Sequence, residues 1–257
     1  MARTLDSRYL KLDAPPAPGS AGTIFFKLKP LFWNSGDSQD RILFQYSASA
    51  GTPLLHIQRY TNNIIYAGWH DGTTDFRIAI SDAGLFTQSI YANWVLAWDA
   101  AVPATKLYSD GVLRGSNMVS LNIVAASYAL GVGNIANGGG AGGTPANADL
   151  CEWGRWNRMI TDSEATTVLI GDKTPGCVPS GLVHWVKILG DVSPEPAETG
   201  DALVLVGAPP QATHPTVDYC EGAGVPGLKT IGGLDIASVK TIGGLDVASI
   251  KSWGGLT

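Results

Sequence analysis

The chain has 257 residues, of which 45% are hydrophobic and only 15% are charged. Its formal net charge is −5 and it has no basic run, so we expect no nucleic-acid partner. No stretch approaches the roughly 18 apolar residues that a membrane-spanning helix needs, and the charged N-terminus is unlike a secretory signal. We therefore expect synthesis in a cytoplasm and no membrane association. Low charge with 32 glycines and 8 tryptophans indicates a β-rich protein that buries part of its exterior against partners.

Short strands with turn residues between them are predicted from residue 20 to residue 135. Strand segments are predicted to begin at residues 23, 41, 53, 63, 75 and 91, and the starts at 41, 53, 63 and 75 follow one another at about the 8–12-residue spacing that is typical of a β-sandwich. Alternation of apolar and polar residues predicts which side chains share a face. These sets are Ile24, Phe26 and Leu28; Ile42, Phe44 and Tyr46; and Trp94, Leu96 and Trp98.

A two-residue hairpin turn is predicted at Asp110-Gly111. Apolar residues flank it in the sequence KLYSDGVLRGS, and Asp-Gly favours the tight turn of a β-hairpin. The glycine-rich stretch Asn137–Gly143 is interpreted as a loop, because it lacks the strand–glycine–helix pattern of a phosphate-binding site.

A single short helix is predicted after residue 160. Thr161 and Glu164 form a capping-box pattern, in which the hydroxyl and the carboxylate each satisfy a free backbone N–H group. Gly171 is expected to end the helix. The apolar stripe of this helix consists of Ala165, Val168 and Leu169.

The three cysteines, Cys151, Cys177 and Cys220, form no CxxC pair. An odd number of cysteines without a signal peptide argues against a disulfide framework, so we expect buried free thiols. A Cys177–Cys220 disulfide is left open, since both residues lie near the end of the predicted domain.

The C-terminal residues repeat with a period of eleven. From Lys229 the sequence reads KTIGGLDIASV, then KTIGGLDVASI, then KSWGGL. This period is also typical of right-handed helical supercoils, but each interior glycine would cost a helix about 1 kcal/mol. We therefore predict short strands, LDIASVK and LDVASIK, separated by Gly-Gly turns. Strands this short need a partner surface, so the tail is expected to dock on its own domain or on a neighbouring subunit.

Two segments resemble laminin G-like jelly-roll domains of the concanavalin A-like lectin/glucanase type. WVLAWDAAVPATKLYSDGVLRGS is similar to the family's Trp–strand–hairpin segment, and ADLCEWGRWNRMITDSEATTVL is similar to its late strand and short helix. The resemblance covers residues 4–220 and implies an all-β antiparallel sandwich with one short helix over residues 1–222, followed by a repeat tail over residues 223–257. The matched positions are Trp94, Tyr108, Asp110, Gly111, Glu152, Trp156, Asn157, Arg158, Thr161 and Glu164.

The tail repeats resemble the C-terminal tails of bacteriophage virion proteins. Together with the jelly roll, this implies a phage structural protein in the virion, either a capsid decoration or stabilising protein or a tail-associated one. We interpret the tail as an attachment device that adds strands to a neighbouring chain. The expected partners are other virion proteins and further copies of this chain, for example in a trimer. The expected partner-binding residues are Ile231, Ile242 and Trp253, which would fill apolar pockets, and Lys229, Lys240 and Lys251, which would pair with acidic groups.

Enzymatic activity is not expected. Jelly-roll glucanases, which the domain resembles, carry paired carboxylates in an E-x-D-x-E arrangement, and the chain contains no such triplet. Asp149 and Glu152 are an odd number of residues apart, so they are expected to face opposite sides of a strand. The four histidines lie in no motif that indicates a catalytic triad.

Carbohydrate binding for adhesion to a host surface is the alternative function. The resemblance to lectin-like jelly rolls implies that exposed aromatic rings could stack on sugars. Core packing is nevertheless the more common role of tryptophan in a sandwich. The candidate glycan contacts are Trp33, Trp69, His70 and Asp71.

Calcium, which lectin-like jelly rolls often hold, is not predicted. The ion needs six to eight oxygen ligands that converge on one point, and the aspartates of this chain are scattered among turns. No cofactor is therefore expected, and a turn role is predicted for Asp37, Asp40, Asp71 and Asp75.

Overall fold

The structure, a computed structural model, describes residues 2–5, 9–12, 18–48, 53–70, 75–102, 104–118, 128–132, 146–188, 194–195, 197–206 and 211–220. In the C-terminal repeats it describes residues 230–231, 234–235, 241–242 and 245–246. The strands outside the repeats are, in chain order, β1 (Ala2–Leu5), β2 (Tyr9–Leu12), β3 (Ala21–Pro30), β4 (Arg41–Ala48), β5 (Pro53–Arg59), β6 (Ile64–His70), β7 (Asp75–Ser81), β8 (Ala92–Asp99), β9 (Ala104–Ser109), β10 (Val112–Asn117), β11 (Tyr128–Val132), β12 (Ala148–Trp156), β13 (Leu182–Lys187), β14 (Ala197–Thr199), β15 (Val204–Val206) and β16 (Gln211–Ala212).

These strands form two antiparallel sheets, so the predicted all-β sandwich is confirmed. The first sheet has the order β10-β9-β8-β3-β12-β1-β16, and β13 joins it by pairing with β12 and β14. The second sheet has the order β15-β2-β11-β4-β5-β6-β7. The inner faces of both sheets contribute to one hydrophobic core, which is rich in tryptophan and phenylalanine.

Strand β3 is buried on both faces. Ile24, Phe26 and Leu28 lie in the inner core, as their alternation predicts. Phe25 points the other way, into a second apolar cluster on the outside of the first sheet. The alternation therefore predicts the core face of β3 correctly. The apolar cluster that covers the outer face was not predicted. That cluster consists of Phe25, Val95, Tyr108, Trp156, Ile160, Ala165, Leu169 and Val178.

Strand β4 departs from strict alternation. Phe44 and Tyr46 face the core as predicted, but Ile42 is buried outside the core cluster. The pairing register between β4 and β5 shifts between Ile42 and Phe44, which brings Leu43 into the core instead. An irregularity of this kind changes the face on which the following side chains lie.

The predicted hairpin turn at Asp110-Gly111 connects β9 and β10. Both residues have positive φ, 48° and 74°, as a type I′ turn requires. Gly111 is also required sterically, because a Cβ atom there would lie 2.3 Å from Cγ2 of Ile170.

The predicted capping box is present. The backbone N–H of Thr161 donates to Glu164 Oε2 at 2.7 Å, and the N–H of Glu164 donates to Thr161 Oγ1 at 3.2 Å. The helix itself is only a short π-helical turn, Glu164–Val168, which Gly171 follows with φ of 57°. Ala165 packs into the outer cluster, so this turn covers part of the first sheet. None of the helices in the described ranges is long and apolar enough to cross a membrane.

The expectation of free thiols is wrong for two of the three cysteines. Cys177 and Cys220 form a disulfide, whereas Cys151 is free and buried. The fold brings the pair together because Lys173 and Asp218 form a parallel β-bridge, which places the two segments side by side. The 43-residue separation between the cysteines gave no local sequence signal of this contact.

In two of the C-terminal repeats, short strands pair on either side of the positions where Gly-Gly turns are predicted; those glycines lie outside the described residues. In the first repeat β17 (Thr230–Ile231) pairs with β18 (Leu234–Asp235), and in the second β19 (Thr241–Ile242) pairs with β20 (Leu245–Asp246). Both pairs have the same register, so the repeated sequence gives a repeated hairpin. The further extent of the predicted strands, and the residues Lys229, Lys240, Lys251 and Trp253, lie outside the described residues.

The disulfide should contribute measurably to stability. Because it closes a loop of 43 residues, replacing both cysteines by serine is expected to lower the free energy of unfolding by about 2–4 kcal/mol. Urea denaturation measures this loss. A reducing agent should lower the midpoint of the natural protein and leave the double variant unchanged; equal midpoints for the two oxidised proteins would contradict the assignment.

Glu164 should make folding sensitive to acid. Hydrogen bonds from Arg158 lower the pKa of Glu164 from its ordinary value of 4.5 to about 2. A lowered folded-state pKa gives stability that is complete above pH 4.5 and is lost as the pH falls towards 2. The melting temperature of Glu164→Gln should therefore fall less than that of the natural protein as the pH is lowered from 4.5 towards 2. Identical pH dependences of the two melting temperatures would contradict this prediction.

Candidate functional site

The two tryptophans predicted as glycan contacts lie in the core, so these predictions are corrected. Trp33 is 1% exposed and Trp69 is 5% exposed. The Trp33 Nε1–H donates to the carbonyl oxygens of Ala146 and Asn147 at 2.8 and 3.0 Å. Trp69 packs edge-on against Trp98 with ring centroids 6.3 Å apart. Core packing is therefore their role; the side chain of His70 and all of Asp71 lie outside the described residues.

Asp37 and Asp40 lie in the connection between β3 and β4, and both bind groups of the protein itself. Asp37 pairs with Arg41 and Arg59, and Asp40 Oδ1 accepts the backbone N–H of Thr61 at 2.9 Å. Within the part of the chain that the structure describes, no three His, Cys, Asp or Glu side chains are grouped so that they could hold a metal ion.

Asp149 and Glu152 face the same side of β12, contrary to prediction. Asp149 pairs with Lys29 and Glu152 pairs with Lys27, and both lysines face outward from β3. The register shift at Cys151 places the two carboxylates on the same side of β12, although they are an odd number of residues apart. Asp149 forms an ion pair with Lys29 at 2.7 Å. Glu152 Oε2 accepts the Nε1–H of Trp185 at 2.9 Å. Both carboxylates are almost completely buried, so they do not line an open cleft.

A more promising surface is the outer face of the second sheet. The register of β4 to β7 places Gln45, His56, Gly68 and Arg77 in one row across four strands. Gly68, at φ of 128°, has no side chain between its two neighbours, so Arg77 can reach across to His56. The row faces outward because the adjacent positions in the same strands belong to the core: Tyr46, Leu55, Ala67 and Ile78.

Two tyrosines and a glutamine adjoin Arg77 on this face. Gln58 pairs with Tyr66 across β5 and β6, and Tyr60 follows β5 directly. The rings of Tyr60 and Tyr66 meet edge to face with centroids 5.0 Å apart. The Arg77 guanidinium lies 4.6 Å above the Tyr66 ring. All four side chains are partly exposed, and we call Gln58, Tyr60, Tyr66 and Arg77 the tyrosine–arginine face.

The guanidinium of Arg77 contacts the buried side chain of His56. Arg77 Nη1 lies 3.3 Å from His56 Nε2 and 3.2 Å from the Tyr60 hydroxyl oxygen. A guanidinium can only donate hydrogen bonds, so Nε2 of His56 accepts one. His56 is therefore the neutral tautomer with its proton on Nδ1, and it is completely buried. The partly exposed tyrosine–arginine face therefore has a buried polar layer beneath it, to which His56 belongs.

This face was not predicted from the sequence, because the apolar residues of each strand indicate only the core side. The polar positions of β5 and β6 form no recognisable motif within either strand, and His56 lies in no motif that indicates a catalytic triad. The signal that could have revealed the face was the spacing of His56, Gln58 and Tyr60, followed by Tyr66 on the hairpin partner. Residues two apart on paired strands share one face.

The chemistry of the face suits a polyhydroxylated ligand. Tyrosine rings offer apolar surface to the C–H face of a pyranose, together with a polar hydroxyl. A guanidinium supplies N–H donors in a planar array, and an amide both donates and accepts. Small-molecule sites commonly combine aromatic surface with a few orienting polar groups in this way.

No protein-family model and no curated protein matches the sequence. Solved structures share its fold. A Bacteroides ovatus protein, provisionally described as carbohydrate-binding, has a TM-score of 0.60 at 12% identity, over 85% of this chain and 61% of that one. The heptameric SAP-like pentraxin of Limulus polyphemus has a TM-score of 0.52 at 13% identity, over 80% of this chain and 91% of that one.

A further match is the NanB sialidase of Streptococcus pneumoniae, with a TM-score of 0.54 at 19% identity, over 66% of this chain and 28% of that one. The chain therefore spans about three fifths of the Bacteroides protein and under a third of the sialidase. At these identities the likeness establishes the fold alone, which is an all-β jelly-roll sandwich.

Proposed function

We propose that this chain binds carbohydrate through the tyrosine–arginine face. The observation that carries the proposal is the cluster of two tyrosine rings and one guanidinium on the outer face of the second sheet. The fold supports it, since a jelly roll of the same architecture occurs in a Bacteroides ovatus protein provisionally described as carbohydrate-binding.

The face is preorganised for binding. Tyr66 and Arg77 stand on neighbouring strands of a sheet whose other side is packed into the core. Tyr60 contacts both of them, through its ring and its hydroxyl group respectively. Side chains held in this way lose little conformational freedom when a ligand binds, which improves affinity for a given contact area.

We propose binding without catalysis. Glycoside hydrolysis generally requires two carboxylates that flank the scissile bond. The described residues of the tyrosine–arginine face and of the polar layer beneath it contain no carboxylate. These residues are Gln45, His56, Gln58, Tyr60, Tyr66 and Arg77.

Tyr66→Ala tests the proposed site. The substitution removes the ring on which Arg77 is stacked, and it should weaken binding to the best ligand of a glycan array by at least about tenfold, equivalent to about 1.4 kcal/mol. Isothermal titration calorimetry with that glycan measures the loss. Phe32→Ala is the matched control, because Phe32 is an aromatic residue that is 82% exposed outside the face.

The control should retain full affinity. Equal losses in the two variants, or undiminished binding by Tyr66→Ala, would contradict the assignment of the ligand to this face. The absence of any binding across a broad glycan array would contradict the proposed function itself.

We further propose that the C-terminal repeats attach the domain to a larger assembly, with a bacteriophage particle as the expected setting. The supporting observation is that two successive repeats form the same hairpin with the same register. Strands of two residues are too short to be stable in isolation, so they need a surface to pack on. Further copies of this chain or another virion protein would supply it, through surfaces that include Ile231 and Ile242.

Deletion of residues 228–257 tests the attachment role. The shortened chain should stay folded and soluble, because the described strands of the sandwich lie outside the deleted range. It should also show a smaller assembly than the full chain in light scattering, and it should fail to join particles. Unchanged assembly mass and normal incorporation would contradict this role.

A further inference from the structure

We propose that Arg59 is a positioning residue for the tyrosine–arginine face: its buried guanidinium holds the turn that carries Tyr60. The inference deepens the proposed carbohydrate-binding function and rests on it for its ligand. Arg59 itself points to the opposite side of the strand and is completely buried, so it acts through Tyr60 and not by contact with a sugar.

The Arg59 guanidinium ties together three segments of chain. Its Nε–H donates to Asp82 Oδ2 at 2.5 Å, after β7. Its Nη1 group donates to the Asp37 carboxylate and to the carbonyl oxygen of Gln39 at 2.9 Å, before β4. Its Nη2 group donates to Asn63 Oδ1 at 2.7 Å, in the turn between β5 and β6. One side chain thus satisfies four acceptors and links two loops to the turn.

The acceptors are themselves held by backbone groups. Asp82 Oδ2 also accepts the N–H of Gly36 at 3.0 Å, and Asn63 Oδ1 accepts the N–H of Ser38 at 2.9 Å. Charge-assisted hydrogen bonds in a buried setting are strong and directional. The network therefore fixes the position of the turn as well as that of the guanidinium.

Tyr60 depends on this turn for its position. Its N–H donates to the carbonyl oxygen of Ile64 at 2.9 Å, and its carbonyl oxygen accepts the N–H of Asn63 at 2.9 Å. Asn63 has φ of 60°, a left-handed conformation that the bond from Arg59 to its side chain helps to hold. If that bond is lost, the turn can move, and the Tyr60 ring with it.

Arg59→Lys is the variant of choice. It keeps a positive charge beside Asp37 and Asp82, but a lysine ammonium has three donors and cannot reproduce the planar array that reaches four acceptors. Arg41→Lys is the matched control. Arg41 is the cross-strand partner of Arg59, also pairs with Asp37, and lies at nearly the same distance from the Trp33 ring, 5.6 Å against 5.7 Å.

The first experiment needs no ligand. Nuclear Overhauser contacts between the Tyr60 and Tyr66 rings should be present in the natural protein and in Arg41→Lys, and lost in Arg59→Lys. Asn63→Gly should lose them too, because glycine accepts the left-handed φ while removing the side-chain bond. If Arg59→Lys does not fold, the contacts between the Tyr60 and Tyr66 rings in Asn63→Gly test the inference instead. Retention of the ring contacts in the folded variants would overturn the inference.

The second experiment is a double-mutant cycle on glycan affinity. Arg59→Lys should weaken binding about tenfold in the natural background and cause no further loss in a Tyr60→Ala background, because the two residues act through one contact. An equal loss in both backgrounds would mean that Arg59 acts on the whole fold and would overturn the inference. If the natural protein binds no glycan, the proposed function fails, and the ring contacts alone decide the role of Arg59.

Discussion

The cross-strand register of β4 to β7 is the constraint on which the proposed site depends. Side chains alternate between the two faces of each strand, so a slip of one residue would exchange the core and the outer face. Core residues such as Leu55 and Ile78 therefore fix, through the register, where His56 and Arg77 lie on the other side. The same pairing that builds the hydrophobic core thus assembles the tyrosine–arginine face.

The two outer faces of the sandwich differ for a physical reason. On the first sheet, outward-facing charges are covered by later segments of the chain: the Lys27 ammonium donates to the carbonyl oxygen of Gly171, and His214 lies 3.5 Å from the Glu152 carboxylate. Burial lowers the pKa of Lys27. The Cys177–Cys220 disulfide holds part of this covering in place. On the second sheet, the tyrosine–arginine face is partly open to solvent, which makes it the better candidate for recognition.

Much of the fold could be predicted from the sequence, because strands, the Asp110-Gly111 turn and the capping box at Thr161 have local signals. The side of β12 on which Glu152 lies could not be predicted. A single register shift at Cys151 reverses the alternation, and no local sequence signal indicates that shift. The disulfide and the contact of Arg77 with His56 depend on which strands become neighbours. Alternation within one strand carries no information on that choice, so the candidate site emerged only from the structure.

The central claim is that a sugar contacts the outer face of the second sheet. The most direct measurement is chemical-shift mapping of the labelled full chain, titrated with the best glycan from an array. We expect the largest saturable shifts at Gln58, Tyr60, Tyr66 and Arg77. Saturable shifts confined to the outer face of the first sheet, for example around Trp185, would contradict it.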